Sequence, residues 1–235
     1  DIGHVFTTAG GGVTFPGIAC LNGWKGKGAS GLGTPVGDAF AVEIAAHEMG
    51  HQVGSHHTWN GTNGNCTAGQ WGSDTAREPG SGSTIMAYAG LCGADDIQGS
   101  RDYYYHAISY QKIRNYCTNL TGGNCPTTSY TGNQPPTVNA GADRTIPCRT
   151  PFTLTASASD PDGDPITYCW EEMDFGPQAP LSDGDNGSSP IFRSWLPTTS
   201  ASRTFPRLSD LLNNTTVAGE LLPTTNRTLA MRCTV

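Results

Sequence analysis

The stretch His47-Glu48-Met49-Gly50-His51-Gln52-Val53-Gly54-Ser55-His56-His57 concentrates the chemistry of this chain. It reads H-E-x-x-H-x-x-G-x-x-H. On a helix, His47 and His51 project from one face and can grip one metal ion. Glu48 stands beside the first of them, within reach of a water on that metal. Gly54 permits a sharp turn, which returns His57 as a third nitrogen ligand. Three neutral imidazoles and one open position make the donor set of a catalytic zinc. Such an ion lowers the pKa of water from about 15.7 toward about 7. Glu48 is then placed to take the proton and pass it to a leaving amine. His56 falls outside the ligand spacing.

These residues need a helix to hold them, and the sequence predicts one over Ala39–Val53. Phe40, Ile44, His47 and His51 step by four, three and four, so they share a face. Asp38 is placed to cap the helix and Gly54 to stop it. A second helix is expected over Arg101–Tyr116. The segments His4–Thr8 and Val13–Leu21 read as short extended pieces.

Further along, Thr118–Thr137 is dense in Gly, Pro, Thr and Asn. It divides the chain into a metal-binding part, residues 1–124, a linker, 125–136, and a β-rich part, 137–235. The second part offers strands at Thr137–Asn139, Phe152–Ala156, Ile166–Glu171, Arg203–Phe205 and Thr228–Thr234. Short strands at that spacing suggest a sandwich. Asp160, Asp162 and Asp164 sit in a turn. They could present hard oxygens to Ca²⁺ or close the turn through Asx hydrogen bonds.

Composition narrows the classes. The chain has 235 residues, 31 Gly, 16 Pro and only 14% charged residues, which argues against a helical bundle or coiled coil. A net charge of −7 argues against a nucleic-acid partner. No apolar run is long enough to span a membrane. Eight cysteines without a C-x-x-C pair suggest up to four disulfides and a secreted protein. Cys66 and Cys92 flank the loop that follows His57 and are candidates to pin it. Of the later cysteines, Cys148, Cys169 and Cys233 leave one thiol over unless Cys125 joins them.

The long histidine motif resembles the metzincin metallopeptidases. Their second hallmark, a methionine turn beneath the zinc, is similar to Ser83-Thr84-Ile85-Met86-Ala87-Tyr88. The resemblance implies that Met86 floors the three histidines. It also implies that Tyr88 follows the Met-x-Tyr pattern of astacin-like and serralysin-like enzymes, whose phenol can stabilise an oxyanion. Thr58-Trp59 departs from the Asp usual after the third histidine of reprolysin-like enzymes and is closer to the pappalysin-like ones. Over Asp1–Cys125 the chain resembles secreted reprolysin-like metallopeptidases of Bacteroidetes-type bacteria. That resemblance implies an α+β catalytic domain and an extended peptide substrate. It implies a cleft-lining edge strand at Asp1–Thr8, antiparallel to the peptide, and a disulfide from Cys20 to Cys117 or Cys125. It further implies that the catalytic domain lacks its N-terminal part, carried on a missing segment of the same precursor. A five-stranded sheet built from residues 1–46 would refute this.

The β-rich part resembles the PKD-like or cadherin-like Ig-type modules of secreted bacterial enzymes. The matching phrases are PPTVNAGADRTI, FTLTASASDPDGDPITYCW and RTLAMRCTV, and the resemblance implies truncation of this module too. The leading expectation is a zinc endopeptidase with an accessory sandwich. The rival is a surface or adhesion protein, or an inactive processed fragment, in which the sandwich does the binding. The loops Trp71–Gly82 and Leu91–Arg101 would flank a substrate side chain but offer no diagnostic residue.

Overall fold

The computed structural model describes residues 1–235. Its first part opens with β1 (Val5–Thr7), β2 (Gly11–Thr14) and β3 (Gly28–Gly31). Their order is β1-β3-β2, with β1 parallel and β2 antiparallel to β3. Three strands therefore form within residues 1–46, not five. The central strand, Gly28-Ala29-Ser30-Gly31, carries no large side chain, and sequence patterning missed it. Small residues suit it because Gln52 lies against Gly28 and the Ala9 carbonyl against Gly31. The outer strands leave Val5, Phe6 and Val13 exposed.

The helix expected over Ala39–Val53 is present as three windings. These are α1 (Asp38–Phe40), a π-helical stretch (Ala41–Ala46) and α2 (His47–Gln52). Wide π turns are uncommon and gather at functional sites. Asp38 does not cap it: Gly37, with φ 70°, holds the N-cap position, and the Asp38 carboxylate accepts from the Tyr103 hydroxyl at 3.1 Å. At the other end Gly54 adopts φ 94°. The last carbonyls of α2 are satisfied from outside. Gly17 donates to His51 O at 2.9 Å, and Ile18 and Ala19 both donate to Gln52 O at 3.0 Å. This use of helix-end acceptors explains why Val13–Leu21 is not one extended piece.

The second long helix, α3 (Ala107–Asn119), starts six residues later than expected. His106 caps it, its Nδ1 accepting from Ile108 N at 3.1 Å. Arg101–Tyr105 are held by tertiary partners instead: Asp102 N donates to Ser83 O, and the Tyr104 and Tyr105 hydroxyls donate to Trp195 O and Ala46 O. Two disulfides staple this part, Cys66–Cys92 and Cys20–Cys125, with Cα separations of 5.2 and 5.5 Å. Cys117, Cys148, Cys169 and Cys233 are free thiols, so two bridges form where up to four were expected.

Residues 125–136 carry no helix or strand and are largely exposed. Beyond them lie β4 (Thr137–Asn139), β5 (Phe152–Thr155), β6 (Ser157–Ser159), β7 (Cys169–Glu172), β8 (Ser202–Phe205), a short α4 (Leu208–Asn213) and β9 (Met231–Thr234). They pair antiparallel in three two-stranded ladders, β4-β6, β5-β8 and β7-β9. Trp170, Ile191, Phe192 and Phe205 form the core between them. In β5, Phe152 and Leu154 point inward while Thr153 and Thr155 face water, the alternation expected of a half-buried strand.

β7 departs from that pattern, being buried on both faces. Trp170 enters the core of its own part. On the opposite face, Glu171 reaches the first part, accepting from Ala107 N at 2.8 Å. Around it, Ser83 Oγ donates to Ser194 O at 3.3 Å, and the Gln178 side-chain amide donates to Gly61 O and Cys66 O. Asp95 accepts from Thr62 N and Asn63 N on one oxygen and from Leu181 N on the other. Trp71 stacks on Phe175 with centroids 5.6 Å apart. The two parts thus share a polar, buried seam.

Asp185 anchors the second part. Burial alone would raise its pKa, but the amides of Gly187, Thr224 and Thr225 and the Thr225 hydroxyl hold it well below the usual carboxylate range. Arg227 pairs with it at 2.8 Å. A depressed folded pKa gives stability that is fully present above the unfolded value of about 3.9 and is lost as pH falls. Thermal melts of wild type should therefore weaken below about pH 4. Asp185→Asn should lower the Tm at pH 7 and flatten that acid dependence. A wild-type acid limb unchanged in Asp185→Asn would contradict this account.

Candidate active site

α2 delivers His47 and His51, and the chain turn at Gly54 brings back His57. One ring nitrogen of each converges on a common point, with all three donor atoms within 4.8 Å of one another. The opposite nitrogens are tied down by backbone carbonyls from three segments. His47 Nδ1 donates to Ile85 O at 2.7 Å, His51 Nδ1 to Ser55 O at 2.8 Å, and His57 Nδ1 to Gln70 O at 2.5 Å. A carbonyl accepts only, so each proton sits on Nδ1 and each Nε2 presents a lone pair. Holding a metal-ligating imidazole by its other nitrogen fixes both tautomer and ring plane.

Burial keeps these rings neutral. It pushes the His47 pKa well below its ordinary value, with the His51 ring adding to the effect. His51 falls to about 4 and His57 to about 3, burial again being the largest cause. Two neutral Nε2 acceptors of His51 and His57 nevertheless face each other at 3.1 Å. Neither has a proton to share, so the approach is repulsive unless a cation lies between them. Tetrahedral zinc with Zn–N near 2.05 Å would space its ligand nitrogens by about 3.3 Å. The donor chemistry, the tautomers and the spacing of the His51–His57 pair fit zinc.

Glu48 is also buried, at 9% exposure. Burial pushes its carboxyl up to about 7, opposed by the Arg101 guanidinium. Its neighbour is β2, where a Cβ on Gly12 would fall on the Glu48 carboxylate, so only glycine allows this approach. Gly11 and Gly12 line the cleft in front of His47 and Glu48. The strand at the cleft is therefore β2. Asp1–Thr8, expected there, supplies β1 on the far side of β3.

Met86 is fully buried beneath α2. A Cβ at Gly50 would come 2.6 Å from its sulfur, so glycine at that position of the motif lets methionine and helix meet. Tyr88 packs its ring 4.5 Å from that of His57 and 5.8 Å from that of His47. Its hydroxyl donates to Gln70 Oε1 at 3.5 Å, and burial, then the Glu48 charge, raises its pKa to about 12. His56 is exposed beside the cluster. Asp160, Asp162 and Asp164 lie apart from it. Asp160 Oδ1 accepts from Asp162 N at 2.8 Å and Asp164 N at 3.2 Å, the hydrogen bonding of an Asx turn.

Glu78 was not anticipated. It is fully buried. Its Oε2 accepts from the Thr58 and Thr84 hydroxyls at 2.5 and 2.6 Å, and its Oε1 accepts from Ser83 N at 2.8 Å. It thus ties the residue after His57 to the turn carrying Met86. Arg101 and Glu43, which also line the cleft, were missed too. Glu43 stands four residues before His47 in the expected helix, a spacing that could have revealed it; Glu78 and Arg101 carry no such signal.

The family profile described as Metallo-peptidase family M12B Reprolysin-like matches residues 1–119. The chain belongs to the reprolysin-like M12B metallopeptidase family. No curated protein and no solved structure matches it. The family match and the three-histidine cluster together make this a zinc metallopeptidase site.

For this reprolysin-like domain, metal binding and stability should be coupled. Zinc at about 100 times its Kd should stabilise the chain by about 2.7 kcal/mol over chelated protein. That corresponds to a Tm rise of roughly 5–10 °C at this size. His51→Ala should abolish the rise; a rise that survives in this variant would place the metal elsewhere.

Proposed function

We propose that the chain is a secreted zinc endopeptidase of the metzincin type, acting on extended peptides. The observation that carries this reading is the set of three neutral, carbonyl-anchored imidazoles beside a buried carboxylate at the wall of an open cleft. Zinc held by His47, His51 and His57 would supply Lewis acidity for the scissile carbonyl and acidify the attacking water.

The protein's own groups do the rest. Glu48 accepts the proton of the attacking water at its carboxylate. It then delivers that proton to the leaving amine nitrogen, so the carboxylate is regenerated each cycle. The raised pKa of the buried carboxyl is suited to both halves of that exchange near neutral pH. The Tyr88 hydroxyl, currently given to Gln70, swings to donate to the developing oxyanion. Met86, as the residue of a methionine turn, keeps the floor beneath the imidazoles apolar. The unpaired edge of β2 beside Glu48 receives the peptide as an added strand.

Disulfides that staple the first part support secretion, since such bonds persist in oxidising compartments. The β-rich part is read as a PKD-like module; its alternating β5 and aromatic core support that reading.

Glu48→Gln keeps the size of the side chain but cannot accept a proton. It should still bind one zinc per chain, while casein hydrolysis falls by at least about 10²-fold, the scale of general-base catalysis. Undiminished hydrolysis would reject the role given to Glu48. Tyr88→Phe should lower kcat with little change in KM, by about 10-fold to 10²-fold, as loss of one oxyanion donor does. A change confined to KM would instead assign the phenol to ground-state binding.

A further inference from the structure

The cleft measures ≈ 710 Å³ and has one cation on its wall, Arg101. Arg101 is only 7% exposed, an unusual burial for a guanidinium. Most of its donors are spent on fixing it. Nε donates to Ala87 O at 2.6 Å, and Nη1 donates to Glu43 O at 2.5 Å and to Glu43 Oε2 at 2.9 Å. Its own backbone N–H donates to Glu43 Oε1 at 2.7 Å. Nη2 makes no hydrogen bond within the chain, although every other nitrogen of the residue does.

The one bare edge of this guanidinium is left for water or a ligand to satisfy, and a carboxylate does so through a charge-assisted hydrogen bond. Glu43 accepts from Arg101 on both oxygens, one from the backbone N–H and one from Nη1, and receives nothing from Nη2. The other acidic group on the cleft wall, Glu48, faces Gly12 on β2. Tyr88 lines the same cleft, its ring 5.9 Å from the Arg101 guanidinium carbon. Arg101 therefore lines the same cleft wall as His47, Glu48 and Tyr88. Planar guanidinium nitrogens favour carboxylates over neutral amides because the hydrogen bond is charge-assisted.

We infer that Arg101 is a specificity-determining residue that binds a carboxylate of the substrate, the side chain of Asp or Glu next to the scissile bond. This rests on the peptidase reading above and adds the substrate class to it. The same chemistry could be met by a free peptide C-terminus, which the test must separate.

A mixed peptide library with amidated C-termini, run beside the same library with free C-termini and digested by the zinc-loaded chain, reads out the preference directly. Asp and Glu should exceed Asn and Gln by about tenfold or more at one position flanking the cut. Arg101→Gln should erase that preference. Because Arg101 also holds Ala87 and Glu43, a second measurement uses a variant that keeps it. Glu48→Gln should bind an Asp-containing peptide about tenfold more tightly than its Asn counterpart, by fluorescence titration without turnover. Cleavage without acidic preference, or equal binding of the two peptides, overturns the inference and leaves the peptidase standing. Cutting only of free-acid peptides at their C-terminal end assigns Arg101 to the terminal carboxylate and overturns the side-chain assignment. No cleavage of any peptide overturns both.

Discussion

Three imidazole lone pairs brought to one point are the constraint on which this architecture turns. Neutral nitrogens repel one another at contact, and the 3.1 Å approach of His51 to His57 is tolerable only around a cation. Holding the rings there requires a carbonyl behind each. Those carbonyls come from Ser55, Gln70 and Ile85, on three separate stretches of chain. Each stretch must therefore be placed as firmly as the helix itself.

The means of placement are mostly polar and covalent. The apolar cluster nearest the site is small, Trp59 with the Cys66–Cys92 bridge, flanked by Trp71 and Tyr88. A core of that size supplies little hydrophobic stabilisation. Buried carboxylates compensate. Glu78 joins the Thr58 and Thr84 hydroxyls, and Asp95 gathers the amides of Thr62, Asn63 and Leu181. Each saturates its oxygens with short donors, which is what makes a buried charge tolerable. Leu181 and Glu171 belong to the second part, so the seam between the parts contributes to the same scaffold. This also explains why β7 is buried on both faces. One side packs its own core and the other satisfies the start of α3.

The local chemistry was legible because it repeats locally. The motif's helical spacing brings His47 and His51 to one face, and Gly54 marks the turn that returns His57. Elements without such a repeat were misread. β3 is built from Gly, Ala and Ser because its neighbours leave no room, and small residues give no strand signal. Arg101–Tyr105 looked helical, yet their donors are claimed by partners distant in the chain, so α3 begins only at Ala107. The π winding of Ala41–Ala46 carries no sequence signal of its own.

By itself, then, the sequence determined the metal-binding trio, the carboxylate beside it, and the methionine and tyrosine of the following turn. Those features depend on residue type and short-range spacing, which a helix of fixed pitch converts directly into geometry. Only the tertiary structure decided which strand borders the cleft, which carbonyls orient the imidazoles, and that Glu78 and Arg101 belong to the site. Each of these arises from groups tens of residues apart, whose meeting depends on how backbone and buried charge are satisfied across the whole fold.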